Sequence, residues 1–191
     1  MSQSAAVRRV EGAELPAPGT WTIDAAHSGV SAVARHLMFA KVRGHFREVA
    51  GAVQIGETPE QSFVEATIQA ASIDTANEMR DNHLRSADFL DVENHPTLTY
   101  RSTAVTQIGP TALAVDGLLT IRGITLPVPL QVSYEGLVRN PWGKDVAIFS
   151  ATGEIDREAF GITWNQALET GGVLVGRTLK VELEIQAVRA E

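Results

Sequence analysis

The closing stretch Thr178-Leu-Lys-Val-Glu-Leu-Glu-Ile-Gln-Ala-Val188 decides the fold. Leu179, Val181, Leu183, Ile185 and Ala187 take every second position, with Lys180, Glu182, Glu184 and Gln186 between them. Successive side chains of an extended strand point to opposite faces, so this period of two gives one dry face and one wet face. The same alternation runs through Val64, Ala66, Ile68 and Ala70, and through Leu113, Val115, Gly117, Leu119 and Ile121. Between such segments stand Gly, Pro, Asn and Asp. The spacing predicts eight strands, at 20–37, 44–55, 62–73, 96–108, 111–121, 124–138, 142–156 and 178–189. Gly109-Pro110, Arg122-Gly123 and Asn140-Pro141-Trp142-Gly143 are short turn connections, so sequence neighbours pair as hairpins in a meander.

Eight half-buried antiparallel strands, with too few helices to cover a flat sheet, are best satisfied by closing the sheet. The expected fold is therefore all-β, an eight-stranded antiparallel meander β-barrel. Pro127 and Pro129 remove two donors from the same side of one strand, which predicts a pairing gap there. A short helical insert near residues 75–91 is the one interruption. Thr75 with Glu78 matches a capping box, which would start a helix near Ala76 and set Arg80, His83 and Leu84 on one face. Phe89 and Leu90 follow, and the combination suits an amphiphile better than a sugar or a nucleotide.

At 191 residues the chain is long enough for one domain with a sizeable core. Residues 1–19, with Pro16, Pro18 and Gly19, read as a flexible lead-in outside the fold, and residues 20–191 as the single barrel domain. Charged residues make up 20% of the chain, and no apolar run approaches the roughly 18 residues of a membrane span. A net charge of −7 with 6% aromatics disfavours nucleic acid as a partner. There are no cysteines, so disulfides and thiolate metal sites are excluded. Glu11 and Glu14 interrupt the apolar core that an export signal needs, so a cytoplasmic location is expected.

The five histidines, His27, His36, His45, His83 and His95, form no close ligand pair, and no metal site is expected. Asp24, His27 and Ser28 invite a hydrolase triad, but the chain has no nucleophile elbow. Asp24 and Ser28 are better read as ties for a turn around residues 25–29. Arg35, Lys41, Arg43 and Arg47 lie in a stretch free of acidic residues: either a solvated face or an attractor for an anionic head group. Arg157 stands where a strand runs into a loop carrying Phe160 and Trp164, either paired with Asp156 or Glu158 or touching a ligand. Ala66, Ala70, Gly117, Ala151 and Gly153 lie in the inward series and leave space along the axis, which favours a slender ligand in the lumen. The competing reading has Phe149, Leu119 and Phe63 fill that space.

Four stretches together resemble the YceI-like family of bacterial polyisoprenoid-binding barrels. They are W-T-I-D-A-A-H-S-G-V from Trp21 with His36 following, N-E-M-R-D-N-H-L-R-S-A-D-F-L-D-V-E-N-H-P from Asn77, D-G-L-L-T-I-R-G-I-T-L-P-V from Asp116, and D-R-E-A-F-G-I from Asp156 with the closing strand. The resemblance implies a lipocalin-like barrel that holds a long isoprenoid, a quinone or a fatty amphiphile, without covalent catalysis and without a cofactor other than the bound lipid. It also implies a possible homodimer. Carried over by motif, His27, Ser28 and His36 mark the first strand, Arg80, Asp81, His83 and Leu84 the insert, and Arg157, Phe160 and Gly161 the loop before the last strand. The chain departs from the family pattern at Leu90, where a second aromatic often follows, and at Tyr100, where Phe is usual.

The candidates for head-group contact are thus His27, His36, Arg80, His83 and Arg157. Those for the lumen and the tail are Ala66, Ile68, Leu84, Phe89, Leu119, Phe149, Ala151, Gly153, Phe160 and Trp164. The expected role is transport, storage or sequestration of the lipid. The alternatives are a small barrel enzyme acting on a lipophilic substrate, and a packed barrel serving as a protein-interaction module.

Overall fold

A computed structural model describes residues 7–10, 13–169 and 171–190. Its strands are β1 (Val7–Val10), β2 (Ala13–Pro16), β3 (Gly19–Ile23), β4 (Gly29–His36), β5 (Ala40–Phe46), β6 (Val49–Ile55) and β7 (Phe63–Gln69), then β8 (Ile73–Asp74), β9 (Thr97–Gln107), β10 (Ala112–Ile121), β11 (Ile124–Pro127), β12 (Leu130–Arg139), β13 (Asp145–Asp156) and β14 (Val175–Arg189). One helix, α1 (Glu78–Arg85), lies between β8 and β9.

The many short strands assemble into eight staves. β3 and β4 run along successive halves of β14, and β5 and β6 continue that pattern on the next stave. β6 pairs with β7, β7 with β9, β9 with β10, β10 with β11 and β12, β12 with β13, and β13 with β14, which closes the barrel. Every pairing is antiparallel, and each stave lies beside its sequence neighbours, so the meander is as the sequence predicts. The expected strand at 20–37 is broken over residues 24–28. There the Ser28 hydroxyl accepts from Gln186 N and donates to Gln186 O, replacing strand backbone with a side chain. The sheet also opens at the prolines: β11 pairs only with β10, and pairing to β13 resumes in β12 at Gln131.

Two sequence expectations need correction. Part of the lead-in joins the fold, because β1 and β2 pair as a hairpin and Trp21, fully buried, donates its indole N–H to Ala17 O at 3.1 Å. Residues 1–6 lie outside the described residues. The helix begins at Glu78 with Asn77 as its N-cap, whose side chain accepts from Arg80 N at 3.0 Å, so Thr75 does not form a capping box. The Thr75 hydroxyl is instead engaged by the buried Asp81 carboxylate and by Arg80 Nε.

The connections divide between the two barrel ends. Residues 56–62, 108–111 and 140–144 link strands at one end, and the insert with residues 157–174 links them at the other. The insert end is packed shut. His83 lies edge-on to Phe89 and Trp164 at centroid distances of 5.0 and 4.8 Å, and Phe160 and Ile162 are buried in the same core. Arg122 joins the two segments by donating to Phe89 O and Gly161 O.

Candidate functional site

The alternating dry faces of the staves enclose a cavity of about 230 Å³ along the barrel axis. Its middle is aliphatic: Val30, Val49, Ile68, Leu119, Val181 and Leu183 contribute from five staves. Toward the end opposite the insert it reaches Phe63, Ser62, Gln107 and Thr111, and the β1–β2 hairpin adds Arg8, Leu15 and Pro16. Among the described residues, Arg8 is the only charged side chain lining the cavity. One of its terminal nitrogens donates to Glu57 O, while its Nε is buried without a partner. A cavity of this size exceeds the roughly 150 Å³ that suffices to hold benzene in a dry protein interior, and it falls below the range of about 300 Å³ upward that suits drug-sized ligands. It therefore fits a slender apolar chain.

Tyr100 is the polar exception inside the wall. It points inward with Leu98 and Ser102 and donates its hydroxyl to Val128 O at 3.2 Å, with Val115 O at 3.5 Å. Burial, and secondarily the charge of Asp116, pushes its pKa up to about 12. Tyr134 is also raised, by burial and by Glu14. Both hydroxyls thus stay neutral in the wall over the physiological range.

Among the tail candidates, Ala66, Ile68, Leu119, Phe149 and Ala151 line this cavity. Leu84, Phe89, Phe160 and Trp164 lie in the packed insert end instead. They close the barrel rather than line its lumen, because their rings and the loop around them stack on one another. Gly117 and Gly153 open no space either. A β-carbon on Gly117 would meet the Tyr100 ring, and one on Gly153 would lie 2.8 Å from Leu130 Cδ2. Phe63, Leu119 and Phe149 border the lumen without filling it.

None of the head-group candidates lines the cavity; His83 and Arg157 meet at Trp164, at the insert end. His27 is exposed and holds Asp24 at 2.8 Å, depressing the Asp24 pKa chiefly through that hydrogen bond. Ser28 bonds to Gln186 backbone rather than to His27, so no triad forms. His36 sits at the end of β4, opposite Ala40 and Val175. Arg80 donates to the Thr75 carbonyl and hydroxyl, and His83 Nε2 meets Asp88 at 2.8 Å. Arg157, 1% exposed, donates to the carbonyls of Gly176, Ile162, Trp164 and Val175, and Arg177 takes the pairing with Asp156 and Glu158. Arg157 is thus a strut of the 157–176 loop, with four of its five N–H donors on backbone carbonyls, and it does not line the lumen. Among the described residues no three of His, Asp and Glu come together to hold a metal ion.

The YceI-like domain model matches residues 21–187. The chain belongs to the YceI-like family. UPF0312 protein SA2479 of Staphylococcus aureus (strain N315) is 41% identical over 165 residues, which is 85% of this chain and 93% of the relative. Among solved structures, Burkholderia cenocepacia BcnA superposes with a TM-score of 0.74 at 25% identity, covering 86% of this chain and 99% of BcnA. The Campylobacter jejuni YCEI protein gives 0.70 at 25% identity, covering 82% and 90%. A polyisoprenoid binding domain from Saccharophagus degradans, implicated in plant cell wall breakdown, shares the fold with a TM-score of 0.66 at 12% identity over 89% and 98%. The YceI-like match starts after β1 and β2, so the hairpin that brings Arg8 to the cavity lies outside the family domain.

Proposed function

We propose that this YceI-like barrel binds one molecule of an isoprenoid or similar long-chain amphiphile, tail in the lumen and head toward the hairpin end, as a carrier or store rather than as an enzyme. The observation that carries the reading is the apolar cavity along the barrel axis, whose middle is walled by aliphatic side chains with Tyr100 as the polar exception. The polyisoprenoid-binding domain of the same fold points the same way, but the ligand class rests on the cavity wall. Each buried methylene contributes about 0.8 kcal/mol, so fifteen tail carbons contribute roughly 12 kcal/mol against an association cost of at least about 4. The remainder, at most about 8 kcal/mol, sets a dissociation constant no tighter than about micromolar without any head-group contact.

Arg8 then adds a preference for an anionic head. Its buried, unpartnered Nε faces a cost that an acceptor oxygen would relieve. The test is native mass spectrometry and calorimetry with geraniol, farnesol, geranylgeraniol and farnesyl diphosphate. One-to-one complexes that tighten with tail length are expected, with the diphosphate favoured over farnesol and the preference removed by Arg8→Gln. If none of the alcohols binds at tens of micromolar, the lumen is not a lipid site.

A further inference from the structure

The β4–β5 hairpin carries a feature that the lumen does not use. Its tip is Leu37, Met38 and Phe39, which are 46%, 49% and 88% exposed. Leu37 and Met38 also hold φ angles of +51° and +67°, in the left-handed region where glycine or asparagine ordinarily stands and bulky side chains are strained. The tip is nonetheless braced. Leu37 N donates to Leu174 O at 2.9 Å, and Met38 packs over Gly172, where a β-carbon would lie 3.1 Å from its sulfur. Three consecutive apolar residues stand partly or wholly in water, two of them at strained angles, and such a run calls for something that covers it.

The charges behind the tip say what covers it. Arg35 and Lys41 stand directly opposite one another across the hairpin, and both are exposed. Like charges in that relation destabilise a sheet unless an external anion meets them. Among the described residues neither has an ion-pair partner, whereas Arg43, two positions further on the same face, is held by Glu182. No acidic residue lies between Val33 and Arg47, on a chain whose net charge is −7. The loop beside the tip offers one exposed carboxylate, Glu169. An aromatic and two flexible apolar side chains in front of paired cations match the boundary of an anionic bilayer, where apolar groups enter the acyl edge and cations meet phosphates.

We propose that the β4–β5 tip docks the protein onto anionic lipid bilayers, with Phe39 and Met38 inserted and Arg35 and Lys41 on the phosphates. This stands whether or not the lumen carries lipid. The test is co-sedimentation of the full chain with phosphatidylcholine vesicles with and without phosphatidylglycerol, alongside gel filtration with light scattering. Wild type is expected to pellet with the anionic vesicles only, and less as salt is raised. Phe39→Ser is expected to lower the partition at least about tenfold, and Arg35→Gln/Lys41→Gln about thirtyfold at low salt. All three side chains are exposed, so the variants should melt with wild type, which separates docking from folding. Equal pelleting of wild type and Phe39→Ser, or no pelleting at low salt, overturns the proposal. So does a dimer that Phe39→Ser dissociates while vesicles are ignored, which would assign the tip to a second copy.

Discussion

Tyr100 and Gly117 occupy one space: a β-carbon on Gly117 would lie 2.3 Å from both Cζ and the hydroxyl oxygen of the Tyr100 ring. Across β9 and β10 Gly117 is paired with Ser102 and Tyr100 with Leu119, so the two are diagonal neighbours beside the register shift between Asp116 and Gly117. The missing side chain of one strand is what lets the ring of its neighbour lie flat in the wall.

Gly117→Ala should therefore destabilise the barrel by about 1–3 kcal/mol, the usual cost of forcing atoms into a packed wall. Urea unfolding measures it. In Tyr100→Ala the same change should cost much less, because the ring is gone; Arg101 O, at 2.9 Å from the added carbon, keeps the relief partial. Additive costs in the double variant would show that the ring is not what the methyl meets.

The tyrosines make this wall visible to pH. The chain has two, Tyr100 and Tyr134, and both are raised, Tyr100 to about 12. At pH 10.5, absorbance near 295 nm should show less phenolate in the native protein, where Tyr100 stays protonated, than in urea, where both tyrosines ionise around pH 10. Between pH 10 and 12 the unfolded chain has lost the Tyr100 proton and the native chain retains it. Unfolding thus releases a proton, and stability falls as pH rises through that window. Stability that is flat from pH 9 to 12 would contradict the burial of both hydroxyls.

The barrel was legible because alternation is a local property: each stave announces its inward face in its own residues, as Leu179 to Ala187 do. The breaks within staves were not, because they are made by partners. Ser28 ends β3 and resumes β4 through Gln186, 158 residues away. At the insert, Thr75 and Glu78 have capping-box spacing, yet Asp81 and Arg80 claim the Thr75 hydroxyl, which leaves Asn77 to cap. For the site, inward parity identified Ala66, Ile68, Leu119 and Ala151 in the wall and also contained Tyr100, between Leu98 and Ser102. The polar candidates came from spacing and motif resemblance, and neither says whether an Arg faces ligand or backbone. Arg8 lay in a stretch whose Pro and Gly content masked two short strands flanking Glu11 and Gly12.

Arg157 gives the plainest separation of structure from binding. Its four carbonyl acceptors lie within residues 162–176. Arg157→Met keeps much of the volume but leaves those acceptors in a buried loop, which should cost roughly 3–5 kcal/mol. Thermal or urea denaturation would report that loss, and lipid affinity of the fraction still folded should be unchanged. Unchanged stability with lost affinity would instead return Arg157 to the ligand.

Ala151 tests the lumen from the opposite direction. It lies in β13, is 7% exposed, and lines the cavity beside residues that stay large, such as Phe149. Ala151→Phe projects a ring into space that the fold leaves empty, so the overpacking penalty of a filled core should be small and some cavity-filling stabilisation can offset it. A tail, however, loses the same volume. Farnesol affinity should fall by tenfold or more while the melting temperature holds within a few degrees, and geraniol, being shorter, should lose less. A melting temperature that drops sharply would mean that the wall around Ala151 is already full. Unchanged farnesol binding in a stable variant would place the tail elsewhere on the barrel.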